Sequence, residues 1–541
     1  MSDDVKAVLA FFESQKAERD PWDPLFQEAA DFLLPHKAAF TSKVVKGENR
    51  FDELYDDTGT WALEQFANGI HSYMTSPLVR WAGLQIKEKD LRDDPDVMAW
   101  RDYAVDVLYD QFNASHSSFH PTLQEIYLDL GAFGYGVGFS EWSEKDQAVL
   151  FQSRFPGEIY LIEDQYGRVR GLNRIYKLKA HQFVEAFGIE KMPQSDRDIF
   201  EKTGGGREFE IVHSVLPSDH PVMKRFKIAK KFKYGSVRVC RDKTENNEPL
   251  AVGGFKSFPF HVARWGKRAG EVYSTSPGIN ALPSVRRANA IQLDLIKIAN
   301  RFADPPTQGP DDEALSPYDM SPGAQNYFRP GTNDRIEGIN GVFGDPNFAN
   351  TILEKAEQSI VRSFFVDAFL TTADSNGQNV KATFVNQRRD ERFRQLAAML
   401  SRVERELLGS YIERTFELAQ ENGKIPPAPQ GVTLEIEFLS PITRAQRSEQ
   451  LDGMFSLVEL AGLGAQFDPT VMNSFKWGEI IKHAGDKVYS LPSAWFKSQE
   501  ELEQEQQEEA ARQQMLEATQ LAQGLGGAVK DVADADLSQR R

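Results

Sequence analysis

Two stretches of this chain alternate apolar and polar residues with a clear helical period. Across 280–303, Val285, Ala288, Ile291, Leu295, Ile298 and Phe302 recur at steps of three and four, with Arg286, Arg287, Asn289, Gln292, Asp294, Lys297 and Arg301 between them. That spacing predicts an amphipathic helix. Asn280 is a candidate N-cap, Pro283 sits in the predicted first turn, and Asp304-Pro305-Pro306 stops the helix. Asp345-Pro346 starts a second helix, predicted over 346–370, with Ala349, Leu353, Ala356, Ile360 and Phe364 as its stripe. The pair brackets a Pro-, Gly- and Asp-rich insert, 304–345. A polar break, 371–383, follows it.

The rest of the chain arranges itself around this pair. Residues 1–40 read as helical up to Pro35, with Val5, Leu9, Phe12, Trp22, Phe26, Ala30 and Leu33 on the buried side. Within 51–80, Leu63, Phe66, Ile70, Tyr73 and Met74 mark another helix, closed by Ser76-Pro77. A short strand at 81–86 and helices at 95–113 and 119–131 come next. From 134 to 264 the period changes to two. Aromatic and β-branched residues alternate, with Gly134-Tyr135-Gly136 and Gln165-Tyr166-Gly167 as turns or strand ends. Strands are predicted across 207–216, 225–241 and 249–264. A long helix over 384–422 carries Phe393, Leu396, Leu400, Val403, Leu407 and Tyr411 on one face, with Gly423 as its C′ residue. A strand at 432–438 and helices at 443–464 and 469–484 complete the pattern. The fold class is α+β, mainly helical, with an antiparallel β region on a helical frame.

Composition narrows the function. The 541 residues include one cysteine, Cys240, which excludes an intrachain disulfide and a Cys-based zinc site. The acidic N-terminus, MSDDVKAVLAFFES, is unlike a signal peptide, and no apolar run reaches the ~18–20 residues of a membrane span. A net charge of −17 argues against a protein that grips nucleic acid, though not against one that lets DNA slide past. The tail 497–541 is rich in Gln, Glu and Ala, and it reads as an exposed helix that gives way to disorder. No GxxxxGK[ST], HExxH or GxSxG motif occurs. The glycines Gly131, Gly134, Gly136 and Gly138 follow a helix rather than a strand, which makes them a poor dinucleotide fingerprint. His116 and His120 stand four apart where a predicted loop leads into a helix, and Asp311-Asp312-Glu313 is an acidic run that a metal-dependent nuclease could use.

Several landmarks, taken in order, resemble the head-to-tail connecting (portal) proteins of short-tailed, podovirus-type bacteriophages. They are Leu54-Tyr55-Asp56-Asp57-Thr58, then Ala67-Asn68-Gly69-Ile70-His71-Ser72 and Thr75-Ser76-Pro77 with Trp81. Next come Ser118-Phe119 and Asp129-Leu130-Gly131-Ala132-Phe133-Gly134-Tyr135-Gly136. The last are Phe258-Pro259-Phe260, Arg264-Trp265, Gly270-Glu271-Val272-Tyr273, Ser276-Pro277-Gly278 and Ala303-Asp304-Pro305-Pro306. Ala82 departs from the pattern where a second aromatic is usual, and Phe384 where an acid often follows.

The resemblance implies a ring of twelve subunits at one capsid vertex, a channel for double-stranded DNA in packaging and ejection. It implies a wing (1–279, with the β region, and 384–442), stem helices 280–303 and 346–370, a clip 304–345, a channel loop 371–383 and a crown 443–496. Gln378, Asn379 and Lys381 would face the channel, with Lys297 and Arg301 on the lower stem. Asp311, Asp312 and Glu313 would lie on the clip, where the large terminase subunit and then the tail adaptor dock. Capsid and scaffolding proteins are further implied partners. Assembly would occur in the host cytoplasm and the product would reside in the virion. No cofactor and no chemical step are expected of the chain. Two other readings stay open: a metal-dependent phage DNA-processing enzyme, and a tail adaptor or tube ring.

Overall fold

The computed structural model describes residues 2–42, 47, 50–92, 94–227, 229–241, 248–303, 307–308, 337–338, 346–369, 396, 398–439 and 512. Contacts divide the chain into two units. One comprises Met1–Ala82, Val107–Ile425 and Phe438–Ile442, and the other Gly83–Asp106, Pro426–Glu437 and Thr443–Arg541.

The first unit opens with helices α1 (Asp3–Arg19), α2 (Asp23–Leu33) and α3 (Thr58–Met74). The Ser2 hydroxyl accepts from Val5 N and caps α1. Strand β1 (Ala82–Ile86) and helix α4 (Pro95–Asn113) fall largely in the second unit, and α5 (Phe119–Phe133) continues the first. Gly134 ends α5 at φ 84°, and a Cβ there would lie 2.2 Å from the Ser274 carbonyl oxygen. Only glycine fits where helix turns directly into strand.

Strands β2 (Tyr135–Ser143) and β3 (Ala148–Arg154) form a hairpin. Strands β4 (Ile159–Glu163), β5 (Val169–Leu178), β6 (Phe209–Pro217), β7 (Tyr234–Cys240) and β8 (Ala251–Phe255) form a five-stranded antiparallel meander. Helices α6 (Ala180–Phe187) and α7 (Gln194–Thr203) interrupt it between β5 and β6. The sequence pattern gave no sign of these two short helices. Strand β9 (Phe260–Arg264) joins β2 and β3 in a three-stranded sheet, and β10 (Gly266–Lys267) pairs with β11 (Ser274–Thr275).

Alternation along β6 sets the core. Val212 and Leu216 point to one face, where Val5, Val8 and Phe12 of α1 cover them. Phe209 and Ile211 point to the other, against Ala180 and Phe183 of α6 and the free thiol of Cys240.

Helix α8 (Pro277–Ala303), strands β12 (Thr307–Gln308) and β13 (Glu337–Gly338), and helices α9 (Pro346–Ser363) and α10 (Val366–Phe369) come next. Helix α8 starts at Pro277, ahead of the expected Asn280. Ser276 accepts from Ile279 N at 2.8 Å and is the cap, which leaves Pro283 inside the helix. Helix α9 starts at Pro346 as expected but does not run unbroken to 370. Phe365, at φ 56°, turns the chain between α9 and α10.

The predicted long helix is described only from its middle. A π-helical turn at Glu404–Leu408 leads into α11 (Gly409–Glu421). Leu396, Leu400, Val403, Leu407 and Tyr411 are all buried. The chain turns off at Gly423, where Lys424 N donates to Ala419 O at 2.8 Å. Residues 384–395, including Phe393, and the expected helices 443–464 and 469–484 lie outside the described residues. Of the tail 497–541, only Arg512 is described, in helical conformation.

In the second unit, β1 pairs with β14 (Leu434–Phe438). Thr433 N donates to Glu88 at 2.9 Å beside this pair, and the Trp100 indole donates to Pro426 O at 3.1 Å.

Candidate functional site

The amphipathic pair singled out by its periodicity forms a two-helix arm. Helices α8 and α9 pack side by side, and the Ser284 hydroxyl donates to the Ser359 hydroxyl at 3.0 Å. Beyond the helices, Thr307 faces Gly338 and Gln308 faces Glu337 in a two-rung antiparallel ladder. Ser284 stands 23 residues before Thr307 and Ser359 stands 21 residues after Gly338. The 27 residues of α8 would span about 40 Å.

Burial along the arm is graded. At its base Val285, Ala288, Ile360 and Phe364 are fully buried. Farther out, Ile291, Leu295, Ile298 and Leu353 are only half-buried, Ile296 is 38% exposed and Phe348 is 67% exposed.

The base is seated on α3. Phe66 meets Phe364 at 6.2 Å, Phe369 at 6.1 Å and Trp265 at 5.1 Å, all edge-on. Gly69 permits the approach of α10, because a Cβ there would lie 2.2 Å from the Phe369 ring. The loop before α3 is tied to the arm by one side chain. Asn289 Oδ1 accepts from Tyr55 N at 2.6 Å and Asp56 N at 3.2 Å, and its amide donates to Glu53 O at 3.1 Å. Arg286 pairs with Glu28 of α2 at 3.1 Å. Burial raises the carboxyl pKa of Asp56, against the hydrogen bonds from Thr58. Burial also raises Glu357 on α9, reinforced by Asp56, Glu354 and Asp57. Glu357 therefore lies within electrostatic reach of Asp56 and Asp57 in the loop before α3.

Behind the base sits a buried cation. Arg264, 1% exposed, pairs with Glu163 and with Glu406 of the π-helical turn, the latter at 2.8 Å, and donates to Gly167 O at 3.1 Å. Lys267 shares Glu163. One guanidinium thus fastens β9 to the β4–β5 turn and to the helix that leads into α11. Sequence patterning identified Arg264 as a landmark but could not supply its carboxylate partners, which lie more than a hundred residues away.

Lys297 lies exposed on α8 and pairs with Asp294 one turn back, at 3.2 Å. Arg301 belongs to the last turn of the same helix. Gln378, Asn379, Lys381, Asp311, Asp312 and Glu313 lie outside the described residues. Among the described residues, no group of three or more His, Cys, Asp or Glu gathers as a metal site would, and no helix is long and apolar enough to cross a membrane.

The family model described as "Bacteriophage head to tail connecting protein" matches residues 5–493. The chain belongs to this family. Among relatives of this head-to-tail connecting protein is the "Probable portal protein" of Bordetella phage BPP-1. It is 28% identical over 483 residues, covering 88% of this chain and 86% of the relative. The "Portal protein" of Salmonella phage epsilon15 is 25% identical over 535 residues, 97% of this chain and 94% of that one. Among solved structures, a chain of the "Virion of native gene transfer agent (GTA) particle" aligns over 80% of the connecting protein and 95% of itself, at 12% identity and TM-score 0.38. A chain of the "Neck of empty GTA particle computed with C6 symmetry" aligns over 75% and 90%, at 12% identity and TM-score 0.37. Family membership rests on the sequence match.

Proposed function

We propose that this connecting protein is a portal subunit, and that its copies close into a ring around a bore for double-stranded DNA at one capsid vertex. The observation that carries the reading is the arm. Its apolar stripe is buried at the base and increasingly bare outward, which suits a helix pair covered by neighbouring copies. Cyclic assemblies require head-to-tail contacts that close after a fixed number of subunits. The two relatives named as portal proteins, aligned over nearly their full lengths, support the same reading.

On this reading α8 and α9 are the stem and 304–345 the clip, where Asp311, Asp312 and Glu313 meet the large terminase subunit and later the tail adaptor. Residues 1–279 and 384–442 form the wing, 371–383 the channel loop and 443–496 the crown, and the ring holds twelve copies. Capsid and scaffolding proteins bind around it during assembly in the host. ATP hydrolysis belongs to the terminase, and the ring supplies bore and docking surface. A charge of −17 per copy favours sliding, because a wall that bound phosphates tightly would hold the duplex. Gln378, Asn379 and Lys381 then make weak, reversible phosphate contacts, with Lys297 and Arg301 near the lower bore.

Negative-stain microscopy of the purified full chain tests the proposal. Closed rings with a central hole wide enough for duplex DNA are expected, and particles that stay single under all assembly conditions would overturn it. Lys381→Glu tests the channel contact separately: normal packaging and retention of DNA by the variant rings would remove Lys381 from that role.

A further inference from the structure

His71, in the last turn of α3, and His120, in the first turn of α5, bring their imidazole rings together with centroids 5.4 Å apart and planes at 71°. His120 Nε2 lies 3.2 Å from Asn113 Oδ1. An amide oxygen only accepts, so that contact places the proton on Nε2 and leaves the Nδ1 lone pair free. His120 Nδ1 and His71 Nε2 are both shielded from solvent, and neither atom has a hydrogen-bond partner among the described residues. Two buried, unsatisfied nitrogens on adjacent rings require an explanation, since such atoms nearly always find a partner.

The geometry points to a transition-metal site: we propose that His71 and His120 together bind one divalent ion of the zinc, cobalt or nickel class. Two imidazoles that share a tetrahedral ion through bonds of about 2.0–2.1 Å hold their ring centres roughly 5–5.5 Å apart. Asn113 performs the orienting task common around such sites, fixing tautomer and ring plane from the far nitrogen. Burial lowers the pKa of both rings, and His120 lowers that of His71 further, so both are neutral and available as ligands at pH 7. Donors that are all nitrogen exclude magnesium and calcium as the preferred ions. Among the described residues no third acidic, cysteine or histidine ligand joins the pair. The Gln124 side chain of α5 donates to the Asn68 side chain of α3 at 2.7 Å, a second tie between the same two helices. The ion would clamp the end of α3, which seats the arm, to the start of α5.

The test uses the untagged full chain, stripped with chelator. Added Co²⁺ should bind at about one ion per chain with a visible d–d absorption band, and Zn²⁺ should displace it. Zn²⁺ should also raise the melting temperature by roughly 2–4 °C. His71→Gln and His120→Gln should each abolish the cobalt band while melting, without metal, close to the parent chain. Asn113→Ala should weaken Co²⁺ affinity by about 10-fold or more without abolishing binding. Absence of the cobalt band in the parent chain, or a band that survives in the doubly substituted chain, would overturn the proposal.

Discussion

The five-stranded sheet and the two-helix arm place their apolar side chains in opposite ways. Along β6 the odd and even positions both find cover inside the chain, from α6 on one face and α1 on the other. Along the arm only the base is covered. Phe364 is fully buried while Phe348, near the opposite end of the arm, is 67% exposed. A sheet closed on both faces needs nothing further. A pair of helices with apolar positions in water gains from a neighbour, since short helices draw most of their stability from packing. The contrast assigns folding to the body and association to the arm.

Removing a side chain on each side of that divide tests it most strongly. Phe364→Ala should cost about 3–5 kcal/mol, read from the urea unfolding midpoint, because it opens a cavity where the arm meets α3. Arg264→Ala, deep in the body, should cost roughly 3 kcal/mol by leaving Glu406 without its cation and Glu163 with Lys267 alone. The lower end of the range applies, because those carboxylates keep 16% and 27% of their exposure.

Asp129 offers a pH signature. Burial pushes its carboxyl up to about 6 despite Lys37 at 2.8 Å. The folded chain therefore holds this proton more tightly than the unfolded chain. The stability it contributes is full below about pH 4 and is lost as pH rises through about 6. Asp129→Asn should gain on the parent chain between pH 4.5 and pH 7.5 by roughly 1–3 kcal/mol, measured by paired urea titrations.

Gly69→Ala should cost about 1–3 kcal/mol by driving a methyl group into Phe369, although alanine is the better helix former. The smallest effect is expected at Phe348→Ala, under about 0.5 kcal/mol for the single chain, with a clear fall in assembled rings by native mass spectrometry. A Phe348→Ala chain as unstable as Phe364→Ala would erase the distinction between body and arm.

Local periodicity revealed a good deal of this fold. The stripes of α3, α8, α9 and the helix leading into α11 were readable because each spans several turns and faces one neighbour. The start of α8 was misplaced because two signals competed. Asn280 with Pro283 looked like a cap and first turn, whereas the structure uses Ser276 with Pro277. The break at Phe365 was invisible because Phe364 still fits the stripe, and nothing in an apolar pattern announces a left-handed residue. Helices α6 and α7 span 8 and 10 residues, too few turns for a period to emerge from a β-rich stretch. Arg264 with Glu406, Asn289 with Tyr55, and His71 with His120 are products of tertiary folding, so no spacing in the chain encodes them.

The rungs Thr307–Gly338 and Gln308–Glu337 also bear on how such a chain diversifies. They bring the two ends of the intervening segment side by side. Lengthening the segment then costs only closure entropy, about 0.6 kcal/mol for each doubling. Material can be added, removed or exchanged there without shifting a single contact in the arm. Changes of length between the rungs would therefore leave the packing of α8 against α9 as it is.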